Sequence, residues 1–416
     1  VYYWYIKNYN TYTKEMITII TGIITEYNPF HNGHKYHLEQ AKKDTSANSI
    51  VCVMSGNFMQ RGIPALIDKW KRAEIAVKNG VDLVLELPLV YSVSSAEHFA
   101  FGSVSLLNRL NIIDNLYFGS ESGNVNILKD ISEILIKEPD EYRLSLKNNL
   151  DKGLPFHISR SNALIEYFKN DNIKDVLSNS NNILGIEYIK SLMKLKSNIT
   201  PATLKREGGT YNSTQLNSNF SSATSIRKHL RNSSVDMIKN EVPMETYKIL
   251  KDLSFSGYPF IFEEDIFKYI KYKLLLDGNS LSKIPDVSEG LDNRILNSIL
   301  KCNSLNELIL ESKSKRYTYT RLNRILTQYF LNLEKYDLFK LTKSPAPYAR
   351  VLAFNSNGKS ILKKIKDNSD IEIITKMPKK NLNEHLEIDI LGTKAYSLLN
   401  NKINPMDDYL KSPIII

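Results

Sequence analysis

Residues 18–37, TIITGIITEYNPFHNGHKYH, constrain this chain more than any other stretch. The apolar run over 18–25 predicts a buried β-strand, Pro29 pins the loop after it, and a helix is entered near Gly33. Three of the chain's seven histidines, His31, His34 and His37, fall in that loop and first turn. A strand that feeds a helix N-terminus gathers unpaired backbone N–H groups and the positive end of the helix dipole at one point. Such a point binds phosphate.

The rest of the chain repeats the pattern. Residues 49–54 (SIVCVM) and 81–87 (VDLVLEL) read as two further strands, the second stopped by Pro88. Residues 115–118 read as a fourth strand ending at Gly119, and 199–205 as a fifth. Asp68 is suited to cap a helix over 69–79. On that helix Lys69 and Arg72, beside Trp70, read as a solvated basic face. From Ser94 or Ser95 onward, Ala96, Phe99, Ala100, Ser103, Leu106, Leu107 and Leu110 keep helical spacing. Residues 125–194 are mainly helical, broken at 153–155 and 178–180, and a further helix starts near Ser221. Alternating strands and helices predict an α/β fold with a parallel sheet, whose ligands sit beyond the carboxyl ends of the strands.

After residue 232 the alternation stops. Helices are expected to about residue 340, then a small mixed α/β segment over 348–399. The expected organisation is a tail over residues 1–15, a nucleotide-binding domain over 16–235 and a mainly helical, basic C-terminal domain over 236–416. Net charge is +10, which suits a polyanionic partner. Cys52 and Cys302 are the only cysteines, with no CxxC pair, which argues against zinc or a disulfide framework and for a cytoplasmic setting. The apolar run over 16–25 is too short to span a bilayer, so no membrane partner is expected.

The chemistry implied by residues 26–34, EYNPFHNGH, is stabilisation of charge on phosphoryl oxygens. Attack on the α-phosphate of ATP builds negative charge there and on departing pyrophosphate, and donors placed in advance stabilise it. His31 and His34, three residues apart at a helix start, point the same way, and Gly33 admits close approach to the backbone. Ordinary polar loop residues are one alternative. A metal held by His31, His34 and His37 is another.

His31-Asn32-Gly33-His34 resembles the HxGH signature of the nucleotidylyltransferase superfamily. Ser221-Ser222-Ala223-Thr224-Ser225-Ile226-Arg227 resembles its second signature, with Ser in place of the leading Ile. The resemblance narrows with MSGNFMQRG (54–62), DLVLELP (82–88), FGSESG (118–123), SNNILGIEY (180–188) and KRYTYTRLNR (315–324). Together these are similar to the tRNA(Met) cytidine acetate ligase family, from about residue 16 to about residue 366. The resemblance implies a Rossmann-like, HUP-type sheet domain and a ligase that joins acetate to ATP; Mg²⁺ is expected to accompany the triphosphate. Acetyl-adenylate then acylates N4 of the wobble cytidine of elongator tRNA(Met). By that similarity the nucleotide is held by Ile24, Thr25, Glu26, Tyr27, Asn28, Pro29, Phe30, His31, Asn32, Gly33, His34, Lys35, Tyr36 and His37. Gly119, Asn181 or Asn182, and Arg206 join them, with Ser222, Thr224 and Arg227 assisting from the second motif.

Residues 313–366 carry thirteen Lys or Arg against two acidic residues, Glu334 and Asp337, with tyrosines interleaved. Basic groups follow phosphates and aromatic faces stack on splayed bases. Lys315, Arg316, Tyr317, Tyr319, Arg321 and Arg324 are therefore the expected tRNA contacts; inward-packed tyrosines on a basic helix are the alternative. Two other functions stay open at this point: adenylyl transfer to a small cofactor precursor, and RNA binding without catalysis.

Overall fold

The structure, a computed structural model, describes residues 18–170, 172–206, 221–314, 316–380 and 382–416. The expected tail over 1–15 and Lys315 lie outside the described residues. Five strands form the parallel part of one sheet: β1 (Ile20–Thr25), β2 (Ser49–Ser55), β3 (Leu83–Leu87), β4 (Asn115–Ser120) and β5 (Thr200–Lys205). Their spatial order is β5-β4-β1-β2-β3. β2 and β3 are buried at every residue, as apolar strands covered on both faces must be.

The helices that matter to the site follow strand ends. α1 (Asn32–Asp44) follows β1, α2 (Lys69–Lys78) follows β2, and α3 (Ala96–Arg109) follows β3. Asp68 caps α2 by accepting from the Trp70 and Lys71 N–H groups, a device worth about 1 kcal/mol. α4 (Ser180–Lys194) precedes β5, and its Gly185 lies against Phe118, where a Cβ would press into the ring. α5 (Ala223–Asn232) carries the second motif, and α6 (Tyr319–Phe330) lies in the basic region.

The C-terminal region does not stand apart from the sheet. β6 (Tyr348–Phe354) pairs antiparallel with β3, and β7 (Glu372–Ile374) and β8 (Ile414–Ile415) pair parallel with β6. The division expected at residue 235 is therefore not a division of the sheet. The reason is a buried ionic cluster. Glu86 lies inside β3, where an isolated carboxylate would be costly. Lys69 of α2 reaches it at 2.7 Å and Arg350 of β6 at 3.0 Å. Asp408 completes the set, 2.8 Å from Lys69 and 2.7 Å from Arg350.

Lys69 and Arg72 are thus not a solvated face; both are 1% exposed. The Arg72 guanidinium donates to the carbonyls of Glu26 (2.6 Å), Ser55 (3.0 Å) and Gly56, and its Nε donates to that of Ile67 (3.2 Å). One buried cation so ties the ends of β1 and β2 together, directly beneath the histidine loop.

Candidate active site

The loop after β1 is fixed from several sides. Asn28 is buried, and its Oδ1 accepts from the Leu66 N–H at 2.7 Å. Tyr27 and Phe30 pack at 4.5 Å between ring centroids, and each also meets the His34 ring. Asn32 turns away: its N–H donates to the Glu241 carbonyl at 3.0 Å and its Nδ2 to that of Asn240 at 2.7 Å.

His31 caps α1. Its Nδ1 accepts from the Gly33 N–H at 3.1 Å, while the His34 Nδ1 accepts from the His31 N–H at 3.3 Å. A neutral ring whose Nδ1 accepts must carry its proton on Nε2. The two rings stack at 3.7 Å between centroids, 23° from parallel. Burial pushes the His31 imidazolium down to about 3, helped by the Arg206 charge. The same two causes push His37 down to about 4. Burial, then His31, Arg206 and His37, hold His34 well below the usual histidine range. Near neutral pH all three rings are uncharged, and His31 and His34 each offer an Nε2–H donor.

These donors face a cavity of about 420 Å³ beyond the carboxyl ends of the strands. Of the expected nucleotide residues, Ile24, Thr25, Glu26, Tyr27, Asn28, His31, Gly33, His34, Tyr36, His37, Gly119, Asn181, Arg206, Ser222 and Thr224 line it. Gly119 sits beneath the Arg206 side chain; a Cβ there would stand 3.2 Å from Arg206 Cγ. Asn181 reaches Glu121 through Nδ2 at 2.6 Å. Asn182, 1% exposed, is consumed internally: its Oδ1 accepts from the Ser122 N–H and its Nδ2 donates to the Val176 carbonyl. Of the pair, Asn181 is the cavity residue.

Six expected residues do not line the cavity. Pro29, Phe30 and Asn32 brace the loop, Lys35 is exposed on α1, and Asn182 is an internal tie. Arg227 is buried and pairs with Glu263 at 3.1 Å, its Nη1 donating to the Pro64 carbonyl at 3.4 Å. It fastens α5 rather than facing a phosphate.

The expected tRNA patch changes as well. Tyr317 is buried and donates its hydroxyl to the Ser288 carbonyl at 2.6 Å. Tyr319 donates to Asn306 Oδ1 at 3.2 Å. Arg316 pairs with Glu289 and Arg321 with Asp286, the latter also lying over the Tyr317 ring. Arg324 instead lines the cavity, beside Thr320. Sequence reasoning also missed Gln60, Arg61, Phe99 and Tyr188 in the lining. The available signal was the MSGNFMQRG stretch, a polar turn just past the carboxyl end of β2. Among the described residues no group of three His, Cys, Asp or Glu converges to hold a metal.

A parallel sheet, a histidine pair at the first helix start and a second motif at another helix start define a HIGH-type nucleotidyl transferase. The family model described as HIGH Nucleotidyl Transferase matches residues 18–409. More narrowly, the chain belongs to the tRNA(Met) cytidine acetate ligase family. It is 52% identical over 400 residues to the tRNA(Met) cytidine acetate ligase of Clostridium novyi, covering 95% of this chain and 99% of that one. It is 50% identical over 404 residues to that of Clostridium kluyveri, with coverage of 95% and 99%. Among solved structures, ligand-free Thermotoga maritima TmcAL superposes with a TM-score of 0.90 at 33% identity, over 96% of this chain and 100% of that one. The same enzyme bound with alpha-thio ATP gives 0.89 at 33% identity and the same coverage.

Proposed function

We propose that the protein is an ATP-dependent ligase that activates acetate as acetyl-adenylate and acetylates N4 of the wobble cytidine of elongator tRNA(Met). The observation that carries this reading is the stacked His31–His34 pair, neutral and protonated on Nε2, at the start of α1. An acetate oxygen attacks the α-phosphorus, and the bond to the β-phosphate oxygen breaks. Charge grows on the bridging and non-bridging oxygens, where uncharged Nε2–H donors and the α1 N-terminus act without reorganising. Arg206, over Gly119, supplies positive charge to the triphosphate. N4 of the cytidine then attacks the acetyl carbonyl, the bond to AMP breaks, and the nitrogen sheds a proton.

Mg²⁺ would travel on the triphosphate oxygens. Among the described residues Glu26 is the lining's one carboxylate and already accepts from the Gln60 N–H at 2.7 Å, so the described part of the wall offers no cluster of acidic ligands. When bound, the ion would neutralise phosphate charge. We also propose a cytoplasmic setting: both cysteines are free and buried, and among the described residues no helix is long and apolar enough to cross a membrane.

The test is incubation with labelled ATP and acetate, with and without tRNA. Acetate-dependent pyrophosphate is expected without tRNA, and N4-acetylcytidine with it. Adenylyl transfer to a cofactor precursor would need no acetate, and RNA binding alone would release no pyrophosphate. His34→Ala is expected to lower pyrophosphate release by roughly 10²-fold or more.

A further inference from the structure

Two helix starts meet at the cavity, and they differ in what they leave open. At α1 the first four N–H groups, which a helix cannot pair within itself, are all taken. The His31 N–H donates to His34 Nδ1, that of Asn32 to the Glu241 carbonyl at 3.0 Å, that of Gly33 to His31 Nδ1, and that of His34 to the His31 carbonyl at 2.9 Å. At α5, Ser222 caps the helix by accepting from the Ser225 N–H at 3.1 Å. The Ala223 and Thr224 N–H groups have no partner among the described residues, and both residues line the cavity. α1 therefore offers a phosphate its dipole and two histidine rings, whereas α5 offers open backbone donors. Those donors help His31 and His34 only when α5 is held at a fixed place relative to them.

Asn32 supplies that hold. It belongs to the HxGH motif yet stays out of the cavity lining. Its backbone and side chain both face the chain that follows α5: Nδ2 donates to the Asn240 carbonyl at 2.7 Å, beside the N–H bond to Glu241. That chain is itself fixed to α5. Val235–Ile238 forms a 3₁₀ turn packed on α5, with Val235 and Ile238 buried, and the Glu241 N–H closes on the Ile238 carbonyl at 2.9 Å. Ile226 and Leu230 of α5 are buried in the same core. Elsewhere α5 is pinned by Arg227 and Arg231 to Glu263, 3.1 and 2.9 Å away. The Glu263 pairs fix α5 against another part of the fold; the two Asn32 bonds fix its following segment against α1.

We infer that Asn32 is a positioning residue, which through residues 233–241 sets the α5 start against the histidine pair so that both act on one triphosphate. The inference rests on the ligase reading above. A side chain without a donor at this position leaves the α5 segment tied to α1 by one bond instead of two. A catalytic group displaced by about an ångström loses much of its effect on a transition state, while the cavity contacts of Arg206 and Asn181 persist.

The experiment measures acetate-dependent pyrophosphate release by the full-length protein, without tRNA, across ATP concentrations. Asn32→Ala is expected to lower kcat roughly fivefold, the effect of one lost hydrogen bond, with the KM for ATP within about twofold of the wild type. Urea denaturation followed by circular dichroism gives the folded fraction, and rates are compared per folded molecule. Thr224→Ala is measured alone and together with Asn32→Ala. Because Asn32 acts through α5, the double variant is expected to lose less than the product of the two single losses. An unchanged kcat per folded molecule in Asn32→Ala overturns the inference and leaves a purely structural tie. Losses that multiply overturn it too, because they make the two residues independent. So does a raised KM for ATP with kcat unchanged, which marks a direct substrate contact. A wild type that releases no pyrophosphate with acetate removes the ligase reading itself, and the inference with it.

Discussion

Replacing Lys69 with Met tests why the C-terminal region belongs to the catalytic sheet. Lys69 Nζ lies 2.7 Å from Glu86 and 2.8 Å from Asp408, and all three are under 5% exposed. With Arg350 they form two buried positive and two buried negative charges. Burial opposes the Asp408 charge, yet Lys69 and Arg350 hold its carboxyl down at about 2. Met keeps the length of the stem and removes the charge, leaving two buried carboxylates with one cation. Removing one partner of a buried pair costs about 3–5 kcal/mol, against 1 or less at a surface. Urea denaturation followed by circular dichroism reads this as a fall in midpoint. Adding Glu86→Gln restores neutrality, so the double variant is expected to regain at least about 1 kcal/mol over Lys69→Met. The Lys69→Met defect should also shrink as pH falls. Without Lys69 the burial of the two carboxylates is opposed by one cation fewer, so the defect is relieved when one of them takes up a proton. A loss below about 1 kcal/mol, or a double variant no better than the single, would refute the reasoning.

Three other outcomes follow from the site. His31 and His37 titrate lower in the folded protein, at about 3 and about 4, than in the unfolded chain near 6.5. Their stability is complete above pH 6.5 and drains away as pH falls, at about 1.4 kcal/mol per unit for each ring. The slope between pH 6.5 and 5, from denaturation curves, should be shallower by about one proton in His31→Asn, and an equal slope contradicts it. Asn181→Ala should raise the KM for ATP, measured by acetate-dependent pyrophosphate release. Asn182→Ala should act chiefly on stability, by about 1–3 kcal/mol, because it leaves the buried Val176 carbonyl and Ser122 N–H unpaired.

The parts of this protein that local chemistry decides were legible in the sequence. The β1–loop–α1 unit, the Asp68 cap and the strand ends at Gly119 and Pro88 depend on apolar runs and turn residues close in the chain. The HxGH pair could be assigned a role because a helix start makes a phosphate site wherever it occurs. What the sequence hid depends on partners far along the chain. Lys69 read as part of a solvated face, and Arg350 as one more member of the basic 313–366 run, because Glu86 and Asp408, which pair with them, are not their neighbours in sequence. Residues 348–399 read only as a small mixed α/β segment, and nothing in 348–354 says that a strand there pairs with β3. Arg227 belongs to a motif, but Glu263 and the Pro64 carbonyl take it away from the cavity. Arg324 sits in a basic run with Arg321 and Arg316, yet it lines the cavity while they pair with Asp286 and Glu289.

The central claim is that acetate attacks the α-phosphate held at His31 and His34. It is tested by supplying acetate labelled with ¹⁸O in both oxygens, together with ATP and tRNA, and weighing the products. Attack at the α-phosphorus transfers one labelled oxygen to the phosphate of AMP and leaves pyrophosphate unlabelled. Labelled orthophosphate with ADP would place the attack at the γ-phosphate, and unlabelled AMP would mean that no acetyl-adenylate formed.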